Sequence, residues 1–286
     1  MILRAWAVLA LLLMPSLAQA AQGSESRYAP MDGILIHYQS WGKGEPAILI
    51  HGFTLDGSFW RHQVPVLAKT RRVITLDLPG HGDSGKPADV QYSMDYYARA
   101  VEAVAKDAGI DHAALVGHSM GLPIIHSVLR RGMLKVDKVA FIDGAILAPP
   151  ADAAARAAQE AWLKTMLEGL RGPNYQLVLE QFFLTFTTKV QGRQKRELLD
   201  KVRAIDQSVA VSTFEHFGDA PVWAPARYDV PALGLYAAQS RQGVKEWLAA
   251  TYPRARLVVW DDVDHFPQLT QPLRVNKALV EFLGAR

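Results

Sequence analysis

The chain has 286 residues, 50% of them hydrophobic and 21% charged, with 31 Lys and Arg against 28 Asp and Glu. That balance excludes a disordered tail, a collagen-like repeat and a polytopic membrane protein, and a net charge of +3 is too small for polyanion binding, so no nucleic-acid partner is expected. The absence of cysteine excludes disulfides, a thiolate nucleophile and Cys-ligated metal centres, which leaves oxygen or nitrogen nucleophiles.

Residues 1–20 read as a secretory signal peptide. Arg4 supplies the positive start, Ala5 to Met14 the apolar run, and Ala18-Gln19-Ala20 the small-x-small cleavage site. The run is shorter than the roughly 20 apolar residues that cross a bilayer. A secreted or periplasmic mature chain with no stable membrane span is therefore expected.

Residues 32–50 alternate apolar and polar through Ile34, Ile36 and Tyr38, turn at Gly42-Lys43-Gly44 and enter the apolar run Ala47 to Ile50. This predicts an edge hairpin feeding a buried strand. Arg72 to Leu78 follows as a strand closed by Pro79-Gly80. Residues 94–108 then form an amphipathic helix with Ser93 as cap and Gly109 as stop. The alternation continues with Ala113 to Val116 (strand), Leu122 to Arg130 (helix) and Lys138 to Ile142 (strand). After an interval it resumes with Pro231 to Tyr236 (strand), Val244 to Ala250 (helix), Leu257 to Trp260 (strand) and Gln268 to Leu283 (helix). Apolar strands alternating with helices predict an α/β fold, a parallel sheet covered on both faces with its strand tips along one rim. The interval, residues 145–227, is Ala-rich and then aromatic, with Trp162, Met166 and Leu170 at helical spacing and Leu179, Phe182, Phe183 and Phe186 likewise. It predicts a helical cap inserted into a core made of residues 21–144 and 228–286.

The chemistry concentrates at strand ends. Gly117-His118-Ser119-Met120-Gly121 lies between a strand and a helix, where a tight turn lifts a serine hydroxyl above the rim. Ser119 is the candidate nucleophile. It needs a base, and His265 follows the strand Leu257 to Trp260 in a loop expected to overhang that rim. A tetrahedral intermediate needs two N–H donors, which the backbone amides of Met120 and Phe53 could supply. His51, Trp60, His118, Phe182, Phe183 and Phe186 are candidate pocket residues. No H-E-x-x-H pair or other metal spacing occurs, so no metal is expected.

Four stretches in this order resemble the α/β-hydrolase family, specifically its capped serine-hydrolase branch: His51-Gly52-Phe53, Asp77 to Ser84, Gly117 to Gly121 and Asp264 to Pro267. The resemblance implies a mostly parallel eight-stranded sheet, a helical insert after the sixth strand, and a Ser–acid–His triad working without a cofactor. It implies only a structural role for the Asp77 to Ser84 loop. The usual acid position, after the seventh strand, holds Ser240. Some relatives, similar to the haloalkane dehalogenases, place the acid at the end of the sixth strand, where Asp143 stands here. Asp143 is the expected acid, with Asp261, Asp262, Asp264, Glu215 and Asp219 as alternatives. The function so implied is an exported carboxylesterase for small to medium apolar esters or lactones. Diketone carbon–carbon hydrolysis, perhydrolysis and a non-catalytic binding protein are the alternatives.

Overall fold

The computed structural model describes residues 24–240 and 243–285, so the signal-like start lies outside the described residues. An eight-stranded sheet runs in the order β1-β2-β4-β3-β5-β6-β7-β8. Strands β1 (Glu25–Met31) and β2 (Ile34–Trp41) form an antiparallel hairpin. β2 also runs against β4 (Arg72–Leu76), whereas β3 (Pro46–Ile50), β4, β5 (His112–His118), β6 (Lys135–Ile142), β7 (Ala232–Ala237) and β8 (Ala255–Trp260) are mutually parallel.

The hairpin differs from the sequence expectation. Its turn is Asp32-Gly33, both left-handed at φ 49° and 83°, and β3 sits beyond β4 instead of beside β2. Gly42-Lys43-Gly44 is a crossing point: a Cβ on Gly42 would lie 2.4 Å from the carbonyl oxygens of Ala68 and Arg71. Alternation of apolar residues reports which face is buried, not which strand is the neighbour.

Successive residues of β3 separate two cores. Ile48 and Ile50 join α2 (Met94–Asp107), α3 (Gly121–Arg131) and α9 (Val244–Thr251), while Ala47 and Leu49 join α1 (Val64–Leu67) and α11 (Pro272–Gly284). α2 begins where the Ser93 hydroxyl accepts the Tyr96 N–H, and it is followed by left-handed Gly109. The single helix expected over 268–283 is two, α10 (Pro267–Thr270) and α11, because Pro272 lacks the N–H that would continue the first. The short turn Gly57–Trp60 and α1 were not expected, since four residues carry no readable period.

Between β6 and β7 lie α4 (Ala153–Arg171), α5 (Tyr175–Phe186), α6 (Gly192–Ala204), α7 (Gln207–Phe217) and α8 (Ala220–Trp223). Leu179 and Phe183 of α5 and Val209, Phe214 and Phe217 of α7 are buried in the same core as α2 and α3. Most of α4 is exposed.

α3 crosses β5 closely because Gly117 and Gly121 have no side chains. A Cβ on Gly117 would meet the Gly121 carbonyl group at 2.7 Å, and one on Gly121 would meet the Ile50 oxygen at 2.8 Å. Both obstacles are backbone, so neither can rotate away. Gly117→Ala is expected to lower stability by about 1–3 kcal/mol through overpacking. An unchanged urea midpoint would contradict that close crossing.

Candidate active site

Ser119 occupies the turn between β5 and α3 with φ 51°, a left-handed conformation that costs a non-glycine residue roughly 1–3 kcal/mol. Its backbone is fixed on both sides. The Ser119 N–H donates to the Ile142 oxygen at 3.2 Å, and its carbonyl accepts the N–H groups of Leu122 and Ala145, each at 3.0 Å. The tip of β5 is thereby tied to the tip of β6.

Asp143, the first residue past β6, is also left-handed at φ 44°. Its N–H donates to the Leu235 oxygen at 2.8 Å, which turns its fully buried side chain toward β7 and the loop after β8. There Oδ2 accepts His265 Nδ1–H at 2.5 Å and the Ser240 hydroxyl at 2.8 Å, while Oδ1 accepts the Ala237 N–H at 2.8 Å. Burial by itself would raise the Asp143 pKa. The hydrogen bond and charge of His265, with the Ala237 amide and the Ser240 hydroxyl, outweigh it and hold the carboxyl below its usual range. The Nδ1–H of His265 is committed to Asp143, so its Nε2 is the nitrogen free to take a proton.

Ser119, Asp143 and His265 line one cavity of about 500 Å3. No hydrogen bond joins the Ser119 hydroxyl to His265 among the described residues, a looseness common until substrate is seated. The N–H groups of Phe53 and Met120 have no protein acceptor among the described residues, whereas those of the adjacent Thr54 and Ser119 are both engaged. Thr54, left-handed at φ 63°, donates to His81 Nε2 at 3.2 Å.

Of the candidate pocket residues, Phe182, Phe183 and Phe186 line the cavity together with Phe53. Phe53 stacks on Phe183 with centroids 6.4 Å apart, and Phe186 lies 5.3 Å from the His265 ring. Trp162, Phe214 and Phe217 complete the aromatic wall. Phe214 and Phe217 escaped sequence reading because nothing in α7 marks which of its buried rings borders a space.

Three pocket expectations are corrected. Trp60 is buried on the opposite side of the sheet, in the core of Ala47, Leu49 and α11. His51 lies below the cavity wall, where Nε2 accepts the Leu78 N–H at 2.9 Å and Nδ1–H donates to the Gly52 oxygen at 2.7 Å. His118 turns under the histidine loop, its Nε2–H donating to the His265 oxygen at 2.9 Å and its ring 4.8 Å from the His265 ring. Burial, then the neighbouring His265, pushes the His118 pKa down to about 3. Burial, then the adjacent His51, does the same to His81, also to about 3. Both rings are neutral supports of the backbone around the site.

Four of the five alternative acids are occupied elsewhere, and Asp261 lies exposed just past β8. Asp264 is buried, and its carboxylate accepts the N–H groups of Lys189 and Val190 in the insert and of Phe266. Asp262 pairs with Arg274, Glu215 with Arg171 and Asp219 with His216. Asp77 accepts the N–H groups of Gly57 and Asp83 and contacts His37, consistent with a structural loop.

A strained serine, a histidine and a buried carboxylate at the C-terminal rim of a mostly parallel sheet define a hydrolase of the α/β class. Residues 46–272 match the family model described as alpha/beta hydrolase fold, and the chain belongs to that family. It is 28% identical over 257 residues to the (E)-2-((N-methylformamido)methylene)succinate hydrolase of Acinetobacter baylyi, covering 86% of this chain and 93% of that protein. It is 41% identical over 106 residues, 36% of this chain, to the dihydrolipoyllysine-residue acetyltransferase component of the acetoin cleaving system of Pseudomonas putida, spanning only 28% of that protein. An esterase from Exiguobacterium antarcticum superposes with a TM-score of 0.81 at 18% identity, covering 91% of this chain and 100% of that one, a likeness of fold.

Asp143→Asn keeps the shape but presents the wrong hydrogen-bonding partner to His265, and turnover is expected to fall about 10⁴-fold. Adding Ser240→Asp puts a carboxylate where a hydroxyl already reaches Asp143 Oδ2, and about tenfold or more of the loss should return. Single-turnover rates of the two variants check both expectations, and a loss of only a few-fold in the first would contradict the expected role of Asp143 as the acid.

Proposed function

We propose that the protein is an exported serine hydrolase that cleaves small to medium apolar carboxylic esters or lactones through an acyl-serine intermediate. The observation that carries this reading is the chain of contacts from the Asp143 carboxylate to His265 at the wall of an aromatic cavity that Ser119 also lines. A binding protein that had lost its acid would have no reason to retain a buried, hydrogen-bonded carboxylate against that imidazole.

Ser119 Oγ attacks the substrate carbonyl as His265 Nε2 takes its proton. The Asp143 carboxylate holds the imidazole and stabilises the imidazolium. The N–H groups of Phe53 and Met120 receive the charge that develops on the carbonyl oxygen. His265 returns the proton to the departing alcohol, which leaves an acyl-Ser119 ester. Water entering the same position gives its proton to His265, attacks the acyl carbon and releases the acid, and the proton returns to Ser119.

A serine in this position favours acyl chemistry over direct alkyl displacement, because an acyl-serine can be hydrolysed and a serine ether cannot. The rings of Phe53, Phe182, Phe183, Phe186, Trp162 and Phe214 offer apolar surface to acyl or alcohol groups, and a cavity of about 500 Å3 suits small to medium substrates. Export rests on the arrangement of residues 1–20.

The wild-type protein is expected to hydrolyse p-nitrophenyl butyrate and to be labelled by a fluorophosphonate probe. Ser119→Ala should lose labelling and at least about 10³-fold in kcat/KM with an unchanged circular dichroism spectrum. Efficient cleavage of a vinylogous diketone with negligible ester turnover would instead establish carbon–carbon hydrolysis. Expressed in full in a Gram-negative host, the protein should appear in the periplasmic fraction with Ala21 at its N-terminus, and an intact Met1 in the cytosol would contradict export.

A further inference from the structure

The side chain of Asp143 is fully buried, yet only one of its three hydrogen-bond donors belongs to the proposed proton-transfer chain. The other two come from a single segment. The Ala237 N–H closes β7, and the Ser240 hydroxyl ends the helical turn Ala238–Ser240 that follows directly. They engage opposite oxygens, Oδ1 and Oδ2, each at 2.8 Å. A carboxylate held at both oxygens by one short segment cannot rotate about its Cβ–Cγ bond without breaking a contact. The direction in which Oδ2 presents its lone pairs to His265 is therefore set by β7 and not by the histidine.

We propose that Ser240 is a positioning residue: its hydroxyl shares the Oδ2 oxygen of Asp143 with His265 Nδ1–H and limits how strongly that oxygen holds the imidazolium. This rests on the reading of Ser119, His265 and Asp143 as a triad. An oxygen that accepts two hydrogen bonds has less charge to offer each donor. The Ser240 hydroxyl has a single proton, and it is committed to Asp143. Ser240 thus keeps the carboxylate oriented while moderating the basicity it confers on His265.

The surroundings of His265 contain few other charges. From β5 the ring of His118 lies 4.8 Å away, and it is neutral in the working range. From α5 comes the apolar ring of Phe186. The adjacent Asp264 directs its oxygens to the amides of Lys189, Val190 and Phe266. Beside Asp143, the phenol of Tyr236 on β7 is buried and raised well above its usual pKa, so it too is neutral. Asp143 is the charge that faces the imidazole, and a change in how that charge is shared is read directly at His265.

Histidine-selective isotope labelling and an NMR titration of the full-length protein, with the His265 signal identified by its loss in His265→Gln, test the proposal without requiring turnover. In Ser240→Ala the His265 pKa is expected to rise by about 0.5 to 1, and Ser240→Thr, which keeps the hydroxyl, should return it to within about 0.2 of the wild type. The acid limb of kcat/KM for p-nitrophenyl butyrate should move by the same amount, with kcat falling about 3- to 10-fold and KM changing less than about twofold. An unmoved titration in Ser240→Ala overturns the proposal whatever happens to the rate. A raised KM with an unmoved titration overturns it in favour of a substrate contact. If His265→Gln retains full ester turnover, the triad reading falls instead, and the Ser240 contact loses its catalytic meaning.

Discussion

The hydrogen bond from His265 to the buried carboxylate of Asp143 is the contact around which the rim of the sheet is organised. A carboxylate removed from water is strongly unfavourable unless its oxygens are matched by donors. Here the donors come from the loop after β8, from the last residue of β7 and from Ser240 beyond it. Satisfying one side chain thus fixes the relative positions of three strand tips. Ser119 is tied in through its backbone, because its N–H donates to Ile142, the residue before Asp143.

The left-handed residues around the site are the visible strain of this arrangement. Thr54, Ser119 and Asp143 each take a positive φ directly after or shortly beyond a parallel strand. At each point the chain must turn sharply to bring an amide, a hydroxyl or a carboxylate over the edge rather than continue along the strand. The compensation is local. Thr54 is held by His81, Ser119 by its contacts to β6 and Ala145, and Asp143 by Leu235. His51, His81 and His118 serve here as neutral hydrogen-bonding rings, since burial opposes their protonation.

The helices between β6 and β7 are joined both to the loop of His265 and to the loop of Phe53. Asp264, next to His265, accepts two amides from the segment after α5, and Asp56, on the loop that carries Phe53, pairs with Lys201 of α6. Phe183 and Phe186, on successive turns of α5, reach toward Phe53 and His265 respectively. The cavity wall and the loops of Phe53 and His265 are therefore held by the same contacts, and a change in α5 would be felt at His265 as well as in the shape of the pocket.

The sequence by itself determined the parallel sheet, because apolar strand runs alternating with amphipathic helices have few other ways to bury both faces. It also marked Ser119 and His265, because a serine between flanking glycines and a histidine just past a strand are visible as local patterns. Asp143 was legible as the expected acid only through the family resemblance, from its place just past β6, with five other carboxylates left as alternatives. The tertiary structure alone decided that Asp143 reaches His265 while Asp264, its chain neighbour, turns to the insert. It likewise decided that Ser240, which stands where the family resemblance places an acid, donates to Asp143. The pairing of β2 with β1 and β4, the burial of Trp60 on the far face and the place of Phe214 in the cavity wall were equally out of reach of the sequence. Periodicity records whether a side chain is buried, whereas its partner depends on contacts between residues far apart in the chain, which no local pattern encodes.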